Sequence, residues 1–347
     1  MAPLRQRPPW IGGDLQTLRD TLRPVRLPAS TVRSLRLPLP SGEHLHAVLD
    51  APIGAAEPAA LVLLLHGLGG SSEREGLRRM GLALQEAGLA VLRLNLRGAG
   101  AGRSLAAGTY AAACSTDLLP VLAQLRSLAA DRPLVGVGLS LGGTILLNAL
   151  LASPAMAGLD GLVCLSAPLD LAASSARIES GRNRIYARWL LQRLVAQTLA
   201  DPFGVSPAER QALTTAGGPR TIRAFDQAIT APRWGYPSVE AYYVAASPLP
   251  VLLDPGRRAA LPPLLLVHAE DDPWVPVAAL QQLATALADA SPGPGPEILI
   301  SRHGGHNGFH GVGDSARGCW GDRLTVAWLR RLLAGGGQPA AAIEPLP

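Results

Sequence analysis

Short apolar runs alternate along this chain with longer stretches in which apolar residues recur at helical spacing. The runs predict strands at Ala60–Leu65, Ala90–Leu94, Leu134–Val137, Gly161–Leu165, Pro263–His268 and Glu297–Ser301. The stretches between most of them predict helices at Glu73–Gly88, Ser115–Ala130, Gly143–Ala152 and Val277–Ala290. Near-continuous apolar strands that alternate with helices are typical of an α/β fold, with a mostly parallel sheet covered by helices on both faces.

Two further segments precede the first buried strand. Val32–Leu39 and His44–Asp50 flank the turn sequence Pro40-Ser41-Gly42, which predicts an antiparallel hairpin leading into the sheet. We therefore expect an N-terminal segment over residues 1–30 and the start of the α/β core at residue 31.

One long interval breaks the alternation of strand and helix. From about Leu169 to Ala260 the pattern is helical, with turn residues between the helices. An interval of this length between two core strands indicates an insertion at the carboxyl end of the sheet, where such folds bind ligands. We predict a helical lid over 169–260, a core over 31–168 and 261–334, and a mobile tail over 335–347.

An uncharged stretch from Pro133 to Leu159 is long enough to cross a membrane. Several glycines and Pro154 interrupt it, so the sequence favours a buried strand, a turn and a helix over the spanning alternative. The first residues, MAPLRQRPPWIGG, lack the apolar run of a signal peptide. We expect a cytoplasmic protein.

The composition removes several classes of chemistry. All 31 Lys+Arg residues are arginine, which excludes a lysine Schiff base and the phosphate-binding lysine of P-loop enzymes. The net charge is +5, but the arginines are dispersed and only 4% of residues are aromatic, so we expect no nucleic-acid partner. The three cysteines are far apart, and no histidines, cysteines or carboxylates are spaced like the ligands of a metal site. We therefore expect neither a metal nor a cofactor.

The sequence Gly138-Leu139-Ser140-Leu141-Gly142 follows a predicted strand and precedes a predicted helix. By itself Gly-x-Ser-x-Gly is a weak signal in a glycine-rich chain, and the alternative is a glycine turn that happens to contain a serine. The position between strand and helix is that of a nucleophile elbow, where glycines permit a sharp turn and the serine hydroxyl stands clear. Ser140 is therefore the candidate nucleophile.

A glycine-rich loop, His66-Gly67-Leu68-Gly69-Gly70, directly follows the strand ALVLLL. Such a loop lets backbone N–H groups approach a reacting carbonyl. It corresponds to one side of the oxyanion hole in an α/β-hydrolase, with the residue after the nucleophile on the other side. We assign the N–H groups of Leu68 and Leu141 to this role, and expect His66 to orient the loop rather than to act as a catalyst.

Candidate acids and bases follow the last two core strands. The loop after PLLLVH contains Asp271 and Asp272, and the loop after EILIS contains His303 and His306. Because the carboxyl ends of parallel strands share one edge of a sheet, these side chains should approach Ser140 there. The order Ser, Asp, His is that of α/β-hydrolases. The spacing leaves both aspartates open, and His310 remains a further candidate base.

With these motifs in place, the sequence resembles the YheT-like α/β-hydrolases. The shared motifs are HGLGGSS, RGAGAGRS, GLSLGG, DDPWVP and GGHNGF, together with the more specific FDQAITAP at 225–232 and an N-terminal PPWIGGDLQTL. The resemblance runs from about Pro9 to Leu333. It implies Ser140 as nucleophile, His306 as base and Asp272 as the orienting acid, chosen by its spacing from Pro276, with Asp271 as the alternative.

These features predict a serine hydrolase that cleaves lipophilic or short-to-medium acyl esters through an acyl-enzyme. The alternatives are acyl transfer or thioester hydrolysis with the same triad, and a non-catalytic ligand-binding protein. The expected partner is a small ester, and a monomer is favoured. Trp189 lies among arginines of the predicted lid, so we also consider a contact with anionic membrane surfaces.

Overall fold

Eight strands form the centre of this computed structural model, which describes residues 2–24, 26–28, 32–215, 218–289, 295–315 and 318–335. The strands are β1 (Val32–Pro38), β2 (His44–Asp50), β3 (Leu61–Leu65), β4 (Ala90–Asn95), β5 (Leu134–Leu139), β6 (Gly161–Leu165), β7 (Leu264–Ala269) and β8 (Glu297–Ser301). Each strand predicted from the apolar runs is present, which confirms those predictions to within a few residues at the ends.

The helices lie before, between and after these strands. Those that precede β7 outside 169–260 are α1 (Gly13–Leu22), α2 (Glu75–Glu86), α3 (Ser115–Ala129), α4 (Leu141–Ala152) and α5 (Pro154–Ala157). Those within 169–260 are α6 (Leu171–Ile178), α7 (Arg184–Leu199), α8 (Pro207–Thr214), α9 (Ile222–Phe225), α10 (Ala231–Arg233), α11 (Val239–Ala246), α12 (Leu249–Leu253) and α13 (Pro255–Arg258). The last two are α14 (Ala278–Ala288) and α15 (Trp320–Leu333).

Three shorter helical turns complete the described structure. Two are 3-10 turns, at Gly100–Gly102 and Gly181–Asn183, and the third is a π-helical turn at Asp226–Thr230. The π-helical turn joins α9 directly to α10.

The sheet has the strand order β1-β2-β4-β3-β5-β6-β7-β8. The first hairpin is antiparallel and β2 also pairs antiparallel with β4, whereas all pairs from β4 through β8 are parallel. This confirms the predicted hairpin leading into a mostly parallel sheet. The carboxyl ends of the parallel strands therefore meet at one edge, as the placement of the candidate site requires.

Alternation of side chains along β3 divides the core into two layers. Leu63 packs with residues of α3, α4 and α14 in one apolar cluster, whereas Val62 and Leu64 pack with residues of α2 and α15 in another. Because successive side chains of a strand point to opposite faces, a continuous apolar strand needs a helical layer on each side. The prediction that helices cover both faces is confirmed.

The segment 169–260, here called the helical segment, contains no strand among its described residues. Its first two helices, α6 and α7, are separated at Gly181, where φ is +51°. The segment has apolar clusters of its own: Tyr242 and Tyr243 pack in one of them, and Leu191 in another.

The uncharged stretch 133–159 forms β5, α4 and α5 rather than one long helix. No described helix has the length and hydropathy needed to cross a bilayer. The predicted tail over 335–347 lies outside the described residues apart from Gly335.

Candidate active site

Ser140 occupies a sharp turn between β5 and α4, with φ +53° and ψ −128°. This backbone conformation is strained for a residue with a side chain, and the close packing around it explains the flanking glycines. A Cβ atom on Gly138 would lie 2.4 Å from the backbone of Gly143, and one on Gly142 would lie 2.6 Å from the carbonyl oxygen of Leu65. The turn has the strand–turn–helix geometry that the pattern predicts.

Ser140, His306 and Asp272 form one chain of hydrogen bonds. Nε2 of His306 lies 2.8 Å from Oγ of Ser140, and Nδ1 of His306 lies 2.9 Å from Oδ2 of Asp272. Because the carboxylate only accepts, Nδ1 carries the proton and the Nε2 lone pair is free to accept the serine proton. Loops after three different strands thus bring together residues that are far apart in the chain.

The carboxyl group of Asp272 is buried, with only 2% of the residue exposed. Its second oxygen, Oδ1, accepts hydrogen bonds from the backbone N–H groups of Trp274 at 2.7 Å and Val275 at 3.0 Å. Burial alone would raise the pKa of Asp272, but its electrostatic attraction to the N–H of the His306 ring and the hydrogen bond from that ring outweigh burial and hold the pKa below its usual value. The carboxyl is therefore ionised and fixed in orientation.

The neighbouring carboxyl, Asp271, faces a different partner. Its Oδ1 accepts the N–H of Gly305 at 2.8 Å, and its Oδ2 lies 3.4 Å from Nδ1 of His303. Asp271 therefore holds the loop that carries His306 but does not bond to its ring. The other candidate base, His310, lies next to Asp20 and Asp314 instead of Ser140.

The glycine-rich loop after β3 is anchored on both sides of Leu68 by one hydroxyl group. The N–H of Gly69 donates to Oη of Tyr110 at 2.9 Å, and that hydroxyl donates to the carbonyl of Gly67 at 3.0 Å. On the other side of the nucleophile, Leu141 is the first residue of α4. The N–H groups of a first helical turn have no acceptor within the helix, so this end of α4 favours negative charge.

His66 is buried beneath the same loop. Its Nδ1 lies 2.9 Å from the carbonyl oxygen of Gly67, and its Nε2 accepts the N–H of Leu96 at 3.3 Å. Burial lowers the pKa of His66 to about 4. The ring is therefore neutral near pH 7 and uses both nitrogens to hold backbone, as expected for a residue that orients the loop.

The structure adds supporting residues that the sequence reasoning did not assign. In α1, Oγ1 of Thr17 accepts the N–H of His306 at 2.8 Å, and Gln16 bonds to both the N–H and the carbonyl of His310. The Trp274 ring stacks on the His306 ring, with centroids 4.5 Å apart. The available signals were the motifs PPWIGGDLQTL and DDPWVP, which indicate that these residues matter but not what they contact.

Another buried histidine, His268, lies close to Asp272. Its Nε2 is 3.0 Å from the carbonyl oxygen of Val275 and 3.6 Å from Oδ2 of Asp272. Burial lowers the pKa of His268, so the ring is neutral and donates its Nε2 proton to the carbonyl. It thereby holds the backbone of the loop that presents the carboxylate.

Two cavities meet at Ser140. The first encloses about 990 Å³, including space open to solvent, and is lined mainly by apolar side chains, many of them from the helical segment. The second encloses about 1200 Å³ on the same basis and has a more polar lining that includes Asp20 and Arg74. We call them the apolar cavity and the polar cavity. The residues common to both are Leu68, Ser140, Trp274 and His306.

Within the part of the chain that the structure describes, no group of three or more His, Cys, Asp or Glu side chains is arranged to hold a metal ion. Cys114, Cys164 and Cys319 are all buried and unpaired. The site is thus composed of a hydroxyl, an imidazole, a carboxylate and backbone N–H groups.

Comparison with known proteins identifies the family of this chain. A family model described as "Serine aminopeptidase, S33" matches residues 56–292. The chain is 30% identical to the putative esterase YheT of Escherichia coli over 279 residues, which are 80% of this chain and 78% of that protein. It is 28% identical to the medium-chain fatty acid ethyl ester synthase/esterase 2 of Saccharomyces cerevisiae over 240 residues, which are 62% of this chain and 51% of that protein.

Among solved structures, an esterase of Pyrococcus furiosus superposes with a TM-score of 0.53 at 15% identity and covers 96% of this chain and 97% of its own. At that identity the likeness concerns the fold. Fold and site together define an α/β-hydrolase of the serine-esterase class. The chain belongs to the YheT-like α/β-hydrolases, as the resemblance in its motifs implied.

Proposed function

We propose that this protein hydrolyses carboxylic esters through an acyl-enzyme formed on Ser140. The observation that carries the proposal is the continuous chain of hydrogen bonds from Asp272 through His306 to the hydroxyl of Ser140, at 2.9 and 2.8 Å. That arrangement lets the imidazole take the serine proton as the hydroxyl attacks, while the buried carboxylate holds the tautomer and stabilises the imidazolium.

The reaction then proceeds in two stages. In the first, the Ser140 oxygen adds to the ester carbonyl and the N–H groups of Leu68 and Leu141 bind the developing oxyanion. His306 gives its proton to the departing alcohol, which leaves an acyl-serine. In the second, His306 takes a proton from water, the resulting hydroxide adds to the acyl carbon, and the carboxylic acid leaves as Ser140 regains its proton.

The two cavities suggest how an ester lies across the nucleophile. An acyl chain gains from burial in the apolar cavity by about 0.8 kcal/mol per methylene, and the more polar cavity suits the alcohol group. The yeast relative is named for its action on ethyl esters of medium-chain fatty acids. We therefore assign short-to-medium lipophilic acyl esters as the substrate class.

In this proposal the helical segment is a lid over the core formed by 31–168 and 261–334, and 1–30 is an N-terminal entry segment. Its residues Leu190 and Phe225 line the apolar cavity together with Ser140. A lid in this position excludes water from the acyl-enzyme and selects the acyl chain.

We further propose that the protein works in the cytoplasm as a monomer and touches anionic membrane surfaces through α7. The three thiols are buried and unpaired, which suits a reducing compartment. On α7, Ile185 is 77% exposed and Trp189 is 39% exposed, with exposed arginines beside them. Such a face combines apolar insertion with charge attraction.

A second candidate activity is acyl transfer to an alcohol, which is favoured by the similarity to a yeast protein named as both an ester synthase and an esterase. Both activities share the acyl-serine and differ only in whether water or an alcohol attacks it. Addition of ethanol to the assay distinguishes them: a transferase forms ethyl ester at the expense of free acid, whereas a hydrolase forms mainly acid. Thioesters tested in the same assay address the third reaction that a Ser–His–Asp triad supports.

The proposal is tested by the substitution Ser140→Ala. We expect kcat for p-nitrophenyl octanoate to fall by about 10⁴- to 10⁶-fold, because no other group can form the acyl-enzyme. Labelling by a fluorophosphonate should be lost in the same variant, and mass spectrometry of the wild-type adduct should locate the label on Ser140. Unchanged esterase activity, or a wild-type protein that resists the label, would contradict the assignment and favour a ligand-binding role.

A further inference from the structure

A carboxyl group in the apolar cavity has no part in the mechanism above. Asp226 is the first residue of the π-helical turn that joins α9 to α10, and it lines the cavity into which Ser140 opens. Single π-helical turns interrupt regular helix bonding and occur frequently at functional sites. An acidic side chain in a mainly apolar cavity requires a physical reason because its burial is costly.

Asp226 is held by hydroxyl groups. Its Oδ1 accepts from Oγ1 of Thr230 at 2.7 Å, and its Oδ2 accepts from Oη of Tyr243 at 2.8 Å. Oη of Tyr243 also lies 3.1 Å from Oγ of Ser175. Since the tyrosine has one proton and gives it to the carboxylate, Ser175 donates to Tyr243. All four residues line the apolar cavity.

Among the described residues, the side-chain partners of this carboxyl are hydroxyl groups and no ion pair to it is formed. Burial raises the pKa of Asp226 to about 6, and among the described residues the charge that adds to this rise is that of the acidic Glu179. At pH 7 to 8 the group is therefore mostly ionised. A carboxylate has about four acceptor positions, of which Thr230 and Tyr243 fill two.

The position of Asp226 relative to the nucleophile tells which part of a substrate it meets. Ser140 lines both cavities, whereas Asp226, Tyr243 and Ser175 line only the apolar one. If the acyl chain occupies the apolar cavity, as the proposed function holds, these polar groups face the acyl chain and not the leaving alcohol.

We infer that Asp226, Tyr243 and Ser175 form a subsite for a hydroxyl group on the acyl chain, so that the preferred substrates are esters of hydroxylated medium-chain acids. The inference rests on the proposed function. A plain alkyl chain would cover the carboxylate and leave its remaining acceptor positions unpaired, which is unfavourable. A substrate hydroxyl would donate to the carboxylate as Thr230 and Tyr243 already do.

An ammonium group fits this subsite less well than a hydroxyl group. It is strongly hydrated and would lose that hydration on entering a mainly apolar cavity. The partners already built around the carboxylate are neutral hydroxyl groups, and the cluster forms a network of such groups. The chemistry of this subsite is therefore that of hydroxyl recognition.

The test compares p-nitrophenyl octanoate with a series of p-nitrophenyl hydroxyoctanoates. Each ester of the series carries one hydroxyl group, at a different carbon of the acyl chain. In the wild-type protein we expect at least one hydroxylated ester to exceed octanoate in kcat/KM by about 10- to 100-fold, the range of a hydrogen bond to a charged group. In Asp226→Leu this ratio should fall to about one while octanoate is still hydrolysed.

Two tyrosine variants complete the test. One removes a single hydroxyl group of the subsite, and the other is a matched control. Tyr243→Phe removes a hydroxyl group that bonds to Asp226 and should reduce the ratio. Tyr242→Phe removes a hydroxyl group that lines the same cavity but accepts the N–H of Ala112, so the ratio should stay as in the wild type. Tyr243→Phe also keeps the inference testable if Asp226→Leu does not fold.

Three outcomes would overturn the inference. The first is a wild-type protein that hydrolyses octanoate and prefers none of the hydroxylated esters. The second is a preference that Asp226→Leu and Tyr243→Phe leave unchanged. The third is an equal or greater preference for esters that carry an amino group in place of the hydroxyl group at the same carbon. A wild-type protein that hydrolyses no ester of the series would instead refute the proposed function, and the subsite with it.

Discussion

At the scale of single residues, two adjacent carboxyls have different surroundings. Asp272 bonds to the ring of His306, whereas Asp271 bonds to the backbone N–H of Gly305. Neighbouring residues in a loop point in different directions, so one carboxyl reaches the imidazole and the other reaches the loop that carries it. Both carboxyls contribute to the position of His306, but only Asp272 bonds to the ring and can stabilise the positive charge that the ring gains on protonation.

We expect Asp272→Asn to lower kcat by about 10³- to 10⁴-fold, because an amide N–H beside Nδ1 favours the wrong tautomer of His306. Asp271→Asn should change kcat by less than about 10-fold, since the amide oxygen can still accept the N–H of Gly305. Steady-state hydrolysis of p-nitrophenyl octanoate by the two variants, measured side by side, checks this. Equal losses, or a larger loss in Asp271→Asn, would reverse the assignment.

At the scale of elements, α7 has two distinct faces. Leu190 and Leu194 point into the apolar cavity, whereas Ile185 and Trp189 are exposed. The guanidinium of Arg193 lies 4.9 Å from the centroid of the Trp189 ring, a cation–π contact that keeps positive charge next to the exposed aromatic group. One helix thus borders the cavity and presents a basic, apolar surface to the outside.

If this outer face binds membranes, wild-type protein should co-sediment more with phosphatidylglycerol vesicles than with phosphatidylcholine vesicles. Each arginine near an anionic surface contributes about 1 kcal/mol, so Arg188→Gln should weaken binding by about fivefold, and Ile185→Ser should also weaken it. Val244→Ser is a matched control, because Val244 is likewise 77% exposed but lies on α11. Binding that is insensitive to lipid charge and to the α7 variants would refute the proposal.

At the scale of the whole molecule, the exposed large apolar residues are dispersed over several elements. Ile11, Ile53, Met156 and Val312 are examples in different parts of the fold. Single exposed apolar side chains are normal for a monomer, whereas an obligate interface needs a contiguous patch. This distribution supports the proposed monomer.

The half-buried carboxyl of Asp226 also affects the stability of the whole fold. Its pKa is raised from the ordinary 3.8 to about 6, so between these values the folded protein binds more protons than the unfolded chain. The contribution of this group to stability therefore declines as the pH rises through that window and stays low above it.

We expect Asp226→Asn to raise the melting temperature relative to wild type at pH 8 and to raise it less at pH 4, where the carboxyl of the folded wild type is mostly protonated and, like the amide, uncharged. The difference in free energy of unfolding between the two pH values should be on the order of 1–3 kcal/mol. Thermal unfolding of both proteins across this pH range checks the sign. If the difference in melting temperature between the two proteins does not grow with pH, ionisation of this carboxyl does not destabilise the fold.

Much of the fold was predictable because the information is local. A run of apolar residues has to be buried, and its length separates strand from helix, so the predicted bounds of β3 to β8 are close to the observed ones. The turn at Ser140 was predictable for a similar reason, since Gly138 and Gly142 stand where a Cβ atom would collide with backbone. The order of strands then placed the candidate residues at one edge.

The sequence by itself determined the strands and helices of the core, the composition of that core and the loops on which the candidate residues lie, since each depends on the residues within a short stretch. Only the tertiary structure decided which aspartate meets His306, and that Thr17 and Tyr110 hold the histidine and oxyanion loops. The tertiary structure alone also placed the carboxyl of Asp226 in the apolar cavity, beside the hydroxyl groups that bond to it. These contacts join residues distant in the chain, and their geometry depends on how whole elements pack rather than on any periodic pattern.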